Sequence, residues 1–279
     1  MGGAVRGYLE LLRPVNSVAA ALLTLIGGFI AAGVTANQWH LGAAVLSTVF
    51  ATGAGNTIND YFDRDIDRIN DPERPIPRGD VHPKGALIWS AGLFAGAIVL
   101  AITLPPVAIL IAILNFMGLV SYTILFKGHP GAGNALVAYL GGSTFLFGAA
   151  AVGAVWDGAV LFALAALSTF AREVIKDIED IAGDRSEGLT TLPIAFGSGP
   201  AFGVASVALI GAVVASPIPY LTELFGLPYL AVVGPADFLM LVALFKSRSD
   251  PGTGHKWLKY GMFLAAVAFI VGRLSIVLT

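Results

Sequence analysis

The sequence predicts an all-α integral membrane protein, a bundle of about nine membrane-crossing helices with its N-terminus on the cytoplasmic side. Three observations predict it. Hydrophobic residues make up 56% of the 279 and charged residues 12%, with a mean hydropathy of +0.81, whereas a soluble domain carries roughly twice that charge. Apolar runs of about 20 residues, enough to cross the hydrocarbon core, recur along the whole chain. Basic residues fall almost entirely on one side of the resulting bundle.

Taken in order, the runs cover 15–34, 41–61, 84–104, 106–126, 133–154, 158–178, 201–221, 227–246 and 257–278. Pro105 and Pro106 divide the third from the fourth and predict a tight turn between them. The stretch 201–246 is broken by Pro217, Pro219, Pro228 and Pro235, so eight spans are the alternative there. Glycine is abundant, with 34 residues, and Gly92-xxx-Gly96 has the small-residue spacing that lets helices approach closely.

Loop charges set the orientation. The N-terminus and the loops after the second, fourth, sixth and eighth spans, with their helix ends, receive 15 of the 16 Lys and Arg; Arg273 alone lies opposite. The positive-inside rule places that basic side in the cytoplasm. The opening MGGAVRGYLELLRP has no short apolar run followed by a small-residue cleavage site, so the first run reads as a mature span. Arg6 occupies the position where a myristoylation signal has Ser or Thr.

Other chemistry is excluded by composition. With no cysteine, disulfides, thiolate nucleophiles and Cys-ligated metals are ruled out. The four histidines (His40, His82, His129 and His255) lack metal-ligand spacing and read as interfacial residues. A net charge of −2 predicts no nucleic-acid partner.

The acids are concentrated. Thirteen of 18 carboxylates fall in two windows, one from Asp60 to Asp80 and one from Glu173 to Glu187, both where a span meets the basic side. Asn56, Asp60, Asp63 and Asp67 step by 4, 3 and 4, and so do Glu173, Asp177, Asp180 and Asp184. Such steps put each set on one helical face. Like charges there repel one another and oppose the negative end of the helix dipole. A cation relieves both costs, and hard oxygen donors without His or Cys suit Mg²⁺ bound together with phosphate oxygens. Two carboxylate faces with nearby Arg and Lys describe a diphosphate site.

These residues resemble a known family. NDYFDRDID (Asn59 to Asp67) looks like the first aspartate-rich motif of the UbiA-type intramembrane prenyltransferases, and DIAGD (Asp180 to Asp184) looks like the second. RINDPERPIPRG (Arg68 to Gly79) resembles the lid segment after the first motif. LLRP, YTILFK (Tyr122 to Lys127) and GLTTLP (Gly188 to Pro193) extend the likeness over nearly the whole chain. REVIKDIEDIAGDRSEGLTTLPIAFG (Arg172 to Gly197) looks most like the archaeal members that add a second geranylgeranyl chain to geranylgeranylglyceryl phosphate. Chlorophyll synthases share much of the first stretch, so aromatic or tetrapyrrole acceptors are the alternatives. A transporter is the alternative from another class.

The resemblance implies one prenyltransferase domain over 1–279, with a first motif at 56–67, a lid at 68–82, a second motif at 173–184 and a central cavity. It implies Mg²⁺ held by Asn59, Asp63, Asp67, Asp180 and Asp184, with Asp60 and Asp177 as further candidates and Asp63, Asp67, Asp180 and Asp184 as the catalytic carboxylates. Expected contacts to the diphosphate are Arg64, Lys127 and Lys176, with Arg74 and Arg78 closing from the lid and Asn56 and Tyr122 nearby. Arg13 and Arg172 are expected at an acceptor phosphate. Tyr139, Ser143 and Phe147 are candidates for lining a tunnel for a polyprenyl chain, in competition with plain helix packing. The implied partners are a polyprenyl diphosphate, a lipophilic acceptor and the bilayer. Asp237, near the middle of the eighth span, is expected to hydrogen-bond to a neighbouring helix.

Overall fold

The structure, a computed structural model, describes residues 2–33 and 36–278. Among the described residues every regular element is helical. Eight helical segments are long and apolar enough to cross a bilayer. They are α2 (Pro14–Ala32), α3 (Gln38–Asn70), α4 (Pro83–Ala101), α6 (Ala132–Ala151), α7 (Val155–Glu179), the segment Ser198–Leu221, α12 (Pro228–Ser247) and α13 (Pro251–Val277). The ninth apolar helix, α5 (Pro106–Ser121), is shorter but runs directly into a π-helical turn, Tyr122–Phe126. Together they fill the expected 106–126 span. The protein is a multi-pass membrane protein. The expected end of the first span, residue 34, lies outside the described residues.

Prolines mark the starts of five of these nine apolar segments. Pro14, Pro83, Pro106, Pro228 and Pro251 each occupy a first-turn position, where the missing N–H has no partner to lose and the fixed φ suits the helix. The segment Ser198–Leu221 is interrupted once, between α10 (Ser198–Ala215) and the short α11 (Ile218–Leu221). Pro217 lies in that break. Pro235 is accommodated inside α12, so the proline-rich stretch still makes two spans.

Three features depart from the sequence reading. A helix α1 (Gly2–Leu11) precedes the first span; its Leu11 is fully buried with Ile76, Val81 and Ala86 beneath the lid. Helix α3 continues past the membrane run to Asn70, so the lid begins at Asp71 and not at Arg68. Gly92 faces open space, and a side chain added at Gly96 would meet only the ring of Phe50, so this pair does not bring two backbones together. Glycine does so between α2 and α6. A Cβ at Gly148 would collide with the Thr24 carbonyl oxygen, and one at Gly27 with that of Phe145, which no larger residue could tolerate.

Side-chain contacts gather the helix ends that carry the acidic windows. Arg13, before α2, reaches Asp60 on α3. Asn134 on α6 donates to Asp177 on α7. His255 on α13 meets Glu179 at the end of α7, and Asn70 donates to Glu187. One end of the bundle therefore holds both windows, the lid and most of the charge.

Candidate active site

The first window is held by cations from outside its own helix. Arg13 Nη2 lies 2.6 Å from Asp60 Oδ1. Arg74, in the lid, lies 3.2 Å from the same oxygen and 2.8 Å from Asp67 Oδ2, and its Nε reaches Asp71. Burial works against the Arg74 guanidinium, but the charges of Asp60, Asp67 and Asp71 outweigh it and raise its pKa above that of an ordinary arginine. Asp60 and Asp67 are both buried. Such acids need partners, since an unpaired charge in that position is costly. Arg13 itself adopts φ +46, a left-handed conformation uncommon for a non-glycine residue.

Asp63 turns the other way. Both of its oxygens lie 2.8 Å from Lys127 Nζ, and Asn59 Nδ2 donates to it at 3.0 Å. The other end of the Asn59 amide, Oδ1, is buried with no hydrogen-bond partner. Asn56 donates to the Leu12 carbonyl. The expected single face of Asn56, Asp60, Asp63 and Asp67 thus divides: Asp60 and Asp67 lie under the lid, while Asp63 is joined to the π-helical turn.

The second window behaves differently. Helix α7 ends at Glu179, Asp180 breaks the run, and α8 (Ile181–Ser186) follows. The four residues expected on one continuous helix therefore straddle a break. They nevertheless converge: Glu173, Asp177, Asp180 and Asp184 all line one polar cavity of about 500 Å³. Lys176 lines it too and donates to Asp180 at 2.7 Å. Thr191, ahead of α9 (Leu192–Phe196), donates to Asp184. Burial pushes the Asp184 carboxyl above the ordinary aspartate range, and the Thr191 hydrogen bond offsets part of that rise.

A second cavity, about 580 Å³, descends among α2, α3, α5, α6 and α7. Its polar mouth carries Arg13, Asn56, Asn59 and Arg172, and its lower wall includes Ala51, Leu119 and Phe147. The two cavities meet at Tyr122, Val137 and Glu173, which line both. The π-helical turn places Tyr122 at this junction and Lys127 in the polar cavity; such turns recur at functional sites. A third, mostly apolar cavity of about 360 Å³ adjoins the second and is lined by residues of α2, α6, α7, α10, α12 and α13, with Asp237 on its wall.

Four expected residues are not brought to this site. The Arg64 guanidinium packs over the Tyr61 ring at 4.8 Å, donates to the Tyr61 carbonyl and faces Asp65, because the residue after Asp63 lies a quarter-turn round the helix. Arg78 binds Glu10 of α1, Asp80 and the Glu73 carbonyl, so it fastens the lid to α1. Ser143 donates to Asn115 and to the Leu140 carbonyl. Tyr139 packs edge-on against Phe162. Neither of these last two lines any of the three cavities, and both pack against neighbouring helices. Asp237 accepts a hydrogen bond from Ser216 at 2.6 Å, a neighbouring-helix contact as expected.

Sequence reasoning missed Glu173 as a site residue beyond its place in the spacing, and missed Asn134 and His129 altogether, both of which line the polar cavity. Asn134 stands on α6 opposite Asp177; its signal was only a polar residue at the start of an apolar run. His82 caps α4 and His255 pairs with Glu179.

The donor set fits a divalent cation. It is made of carboxylate and amide oxygens, with the buried Asn59 Oδ1 left without a partner. Among the described residues no three acidic or histidine side chains are close enough to hold an ion by themselves. Mg²⁺ typically takes one or two carboxylates and completes its shell with phosphate oxygens and water.

Comparison with known proteins gives a consistent picture. The model of the UbiA prenyltransferase family matches residues 20–267. The chain is 59% identical over 269 residues to a protein of Halobacterium salinarum named digeranylgeranylglyceryl phosphate synthase, covering 96% of this chain and 98% of that one. It is 58% identical to the protein of that name from Natronomonas pharaonis, covering 98% and 99%. A solved structure described as digeranylgeranylglyceryl phosphate synthase in membranes superposes with a TM-score of 0.86 at 34% identity, over 98% of this chain and 99% of that one. A UbiA homologue from Archaeoglobus fulgidus bound to GPP and Mg²⁺ shares the fold, with a TM-score of 0.76 at 23% identity over 95% and 98% of the chains. The match to the family model over most of the chain, together with relatives this close over their full length, shows that the chain belongs to the UbiA prenyltransferase family.

Proposed function

We propose that this protein transfers a geranylgeranyl group from geranylgeranyl diphosphate to geranylgeranylglyceryl phosphate, with Mg²⁺, in archaeal ether-lipid synthesis. The observation that carries the reading is the junction at Tyr122, Val137 and Glu173 between an acid-lined polar cavity and a deep apolar one. A polyprenyl diphosphate has the same division, a charged head joined to a long apolar chain. The high identity to the named haloarchaeal synthases supports the choice of acceptor. The excess of Lys and Arg at this end of the bundle supports a site facing the cytoplasm from the cell membrane.

Asn59, Asp63 and Asp67 from one window and Asp177, Asp180 and Asp184 from the other are the residues that would hold Mg²⁺, with Asp60 held by Arg13 and Arg74 behind them. Held there with the diphosphate, Mg²⁺ would neutralise part of the charge that grows as the leaving group departs. Lys127 and Lys176 line the same cavity and add fixed positive charge to the diphosphate oxygens. The allylic C1–O bond breaks, its electron pair leaves with the diphosphate, and C1 takes on carbocation character at the junction. The glycerol hydroxyl oxygen attacks C1. Glu173, which borders both cavities, takes the hydroxyl proton. The apolar cavity holds the chain, each buried CH₂ favouring binding by about 0.8 kcal/mol, and keeps water from the cation.

The test is an acceptor panel. Purified protein is given labelled geranylgeranyl diphosphate and Mg²⁺ with geranylgeranylglyceryl phosphate or 4-hydroxybenzoate. Label is expected in the glyceryl ether. Label in 4-hydroxybenzoate alone would replace this acceptor with an aromatic one.

A further inference from the structure

We infer that the third cavity, lined by α2, α6, α7, α10, α12 and α13, is the chamber for the acceptor's hydrocarbon chain, with Arg172 at its neck as the anchor for the acceptor's phosphate. This rests on the reading of the acceptor as a lipid phosphate. The reaction then requires two long apolar chains to be held at once, with their reacting ends side by side. The structure has two apolar cavities, of about 580 and 360 Å³, each within the range typical of a ligand site. The larger opens beside Asn59 and Tyr122, next to the carboxylates, and so suits the donor. The smaller contains none of the aspartate-rich motif residues and meets the larger along Asn16, Leu23, Gly141, Thr169 and Arg172.

Arg172 marks that boundary and is not fully satisfied. One terminal nitrogen donates to Glu173, but its Nε is buried without a hydrogen-bond partner. A buried guanidinium donor left in that state is costly, and a phosphate oxygen is the acceptor its planar fork fits best. Anchoring the acceptor phosphate here puts the glycerol next to Glu173, the residue at the other junction, where C1 of the donor arrives. Lys259, exposed on α13, also lines the chamber and adds a second positive charge. Beyond the neck Ala165, Ala212, Ala265 and Ala266 leave space beside larger aromatic side chains, and the wall also carries the Asp237 carboxylate, which accepts a hydrogen bond from Ser216.

Enlarging the wall tests the assignment. Ala212→Leu on α10 and Ala266→Leu on α13 each add bulk inside the chamber. Each should raise KM for geranylgeranylglyceryl phosphate by about tenfold or more and shift preference toward an acceptor with a ten-carbon chain. KM for geranylgeranyl diphosphate should stay within about twofold in both, which also reports that the variants are folded. A rise in donor KM, or an unmoved acceptor KM and chain preference, overturns the assignment.

Photolabelling of the wild type needs neither a variant nor turnover. A benzophenone-tipped glyceryl phosphate ether is expected to label peptides of α12 or α13. Labelling of α3 or α5, or none, overturns it, as does label in α12 or α13 that competing geranylgeranyl diphosphate removes. If the wild type fails to prenylate geranylgeranylglyceryl phosphate while the probe still labels α12 or α13, the proposed reaction falls and the lipid-phosphate chamber stands.

Discussion

Lys127 Nζ lies 2.8 Å from each carboxylate oxygen of Asp63, joining the π-helical turn to the first aspartate-rich helix. The same lysine lines the cavity formed by the second aspartate-rich segment. One cation therefore stands between the two halves of the site, symmetric about the Asp63 carboxylate. A diphosphate entering with Mg²⁺ would replace Asp63 as the negative partner of Lys127 and free Asp63 for the metal.

Lys127→Ala is expected to lower kcat by about 10²–10³-fold, the size of effect seen on removing one preorganised charge donor. Lys127→Arg should recover part of the loss. Steady-state rates at saturating donor read the effect. A change of less than about threefold for the alanine variant would remove Lys127 from the leaving-group contacts.

Chelation gives the second expectation. Thorough EDTA treatment should abolish prenyl transfer, and added Mg²⁺ should restore it. Asp63→Ala and Asp184→Ala, one from each window, should each eliminate turnover while the protein remains monodisperse in detergent. Activity surviving chelation would sink the metal-assisted mechanism, and near-normal rates in either variant would take that residue out of the site.

Arg74 supports the first window from above. Arg74→Ala strips Asp67 of the cation 2.8 Å away, while Asp60 keeps Arg13 at 2.6 Å. A buried carboxylate left alone is destabilising, by roughly 3 kcal/mol where the partner was well packed. Asp67→Asn in the same background removes the stranded charge and should restore most of the lost Tm. Thermal unfolding in detergent distinguishes this from a general loss of packing, in which the second change would bring no recovery.

The membrane helices were legible because nearly all are apolar runs of the right length, and Pro105 and Pro106 marked one boundary. Even 106–126 reads as one span, although its last turn is π-helical. Helix α1 was not, since ten residues are too few for a span and Leu11 shows its buried side only against the lid. The carboxylate spacing revealed both windows. It could not reveal that Arg74 would claim Asp60 and Asp67 while Lys127 claimed Asp63, because those cations come from a loop and from a turn far along the chain. Arg64 and Arg78 failed for the same reason in reverse: adjacency in sequence to the motif placed them near it, yet Tyr61 and Glu10 hold them elsewhere. The apolar cavities depend on five or more helices meeting, and no local pattern encodes them.

The last expectation concerns pH and the lid. Arg78 donates to Glu10 at 2.8 Å, tying the lid to α1, and Arg6 pairs with the other Glu10 oxygen. The hydrogen bond from Arg78, then that from Arg6, hold the Glu10 carboxyl below the ordinary glutamate range. A carboxylate with a depressed pKa in the folded state contributes fully above its unfolded pKa, and the contribution disappears as pH falls through the lower, folded value. The tie is thus intact at pH 7 and weakens only below about pH 4. Hydrogen exchange at the amides of Gly79 and Val81, which close the lid turns onto Ile76 and Pro75, reports on it. Glu10→Gln should speed their exchange relative to wild type at pH 7. Corrected for intrinsic rates, the two proteins should converge as the pH drops through the depressed value. Equal protection at pH 7 would mean that the buried contacts of Leu11, Ile76 and Val81 hold the lid without the ion pair.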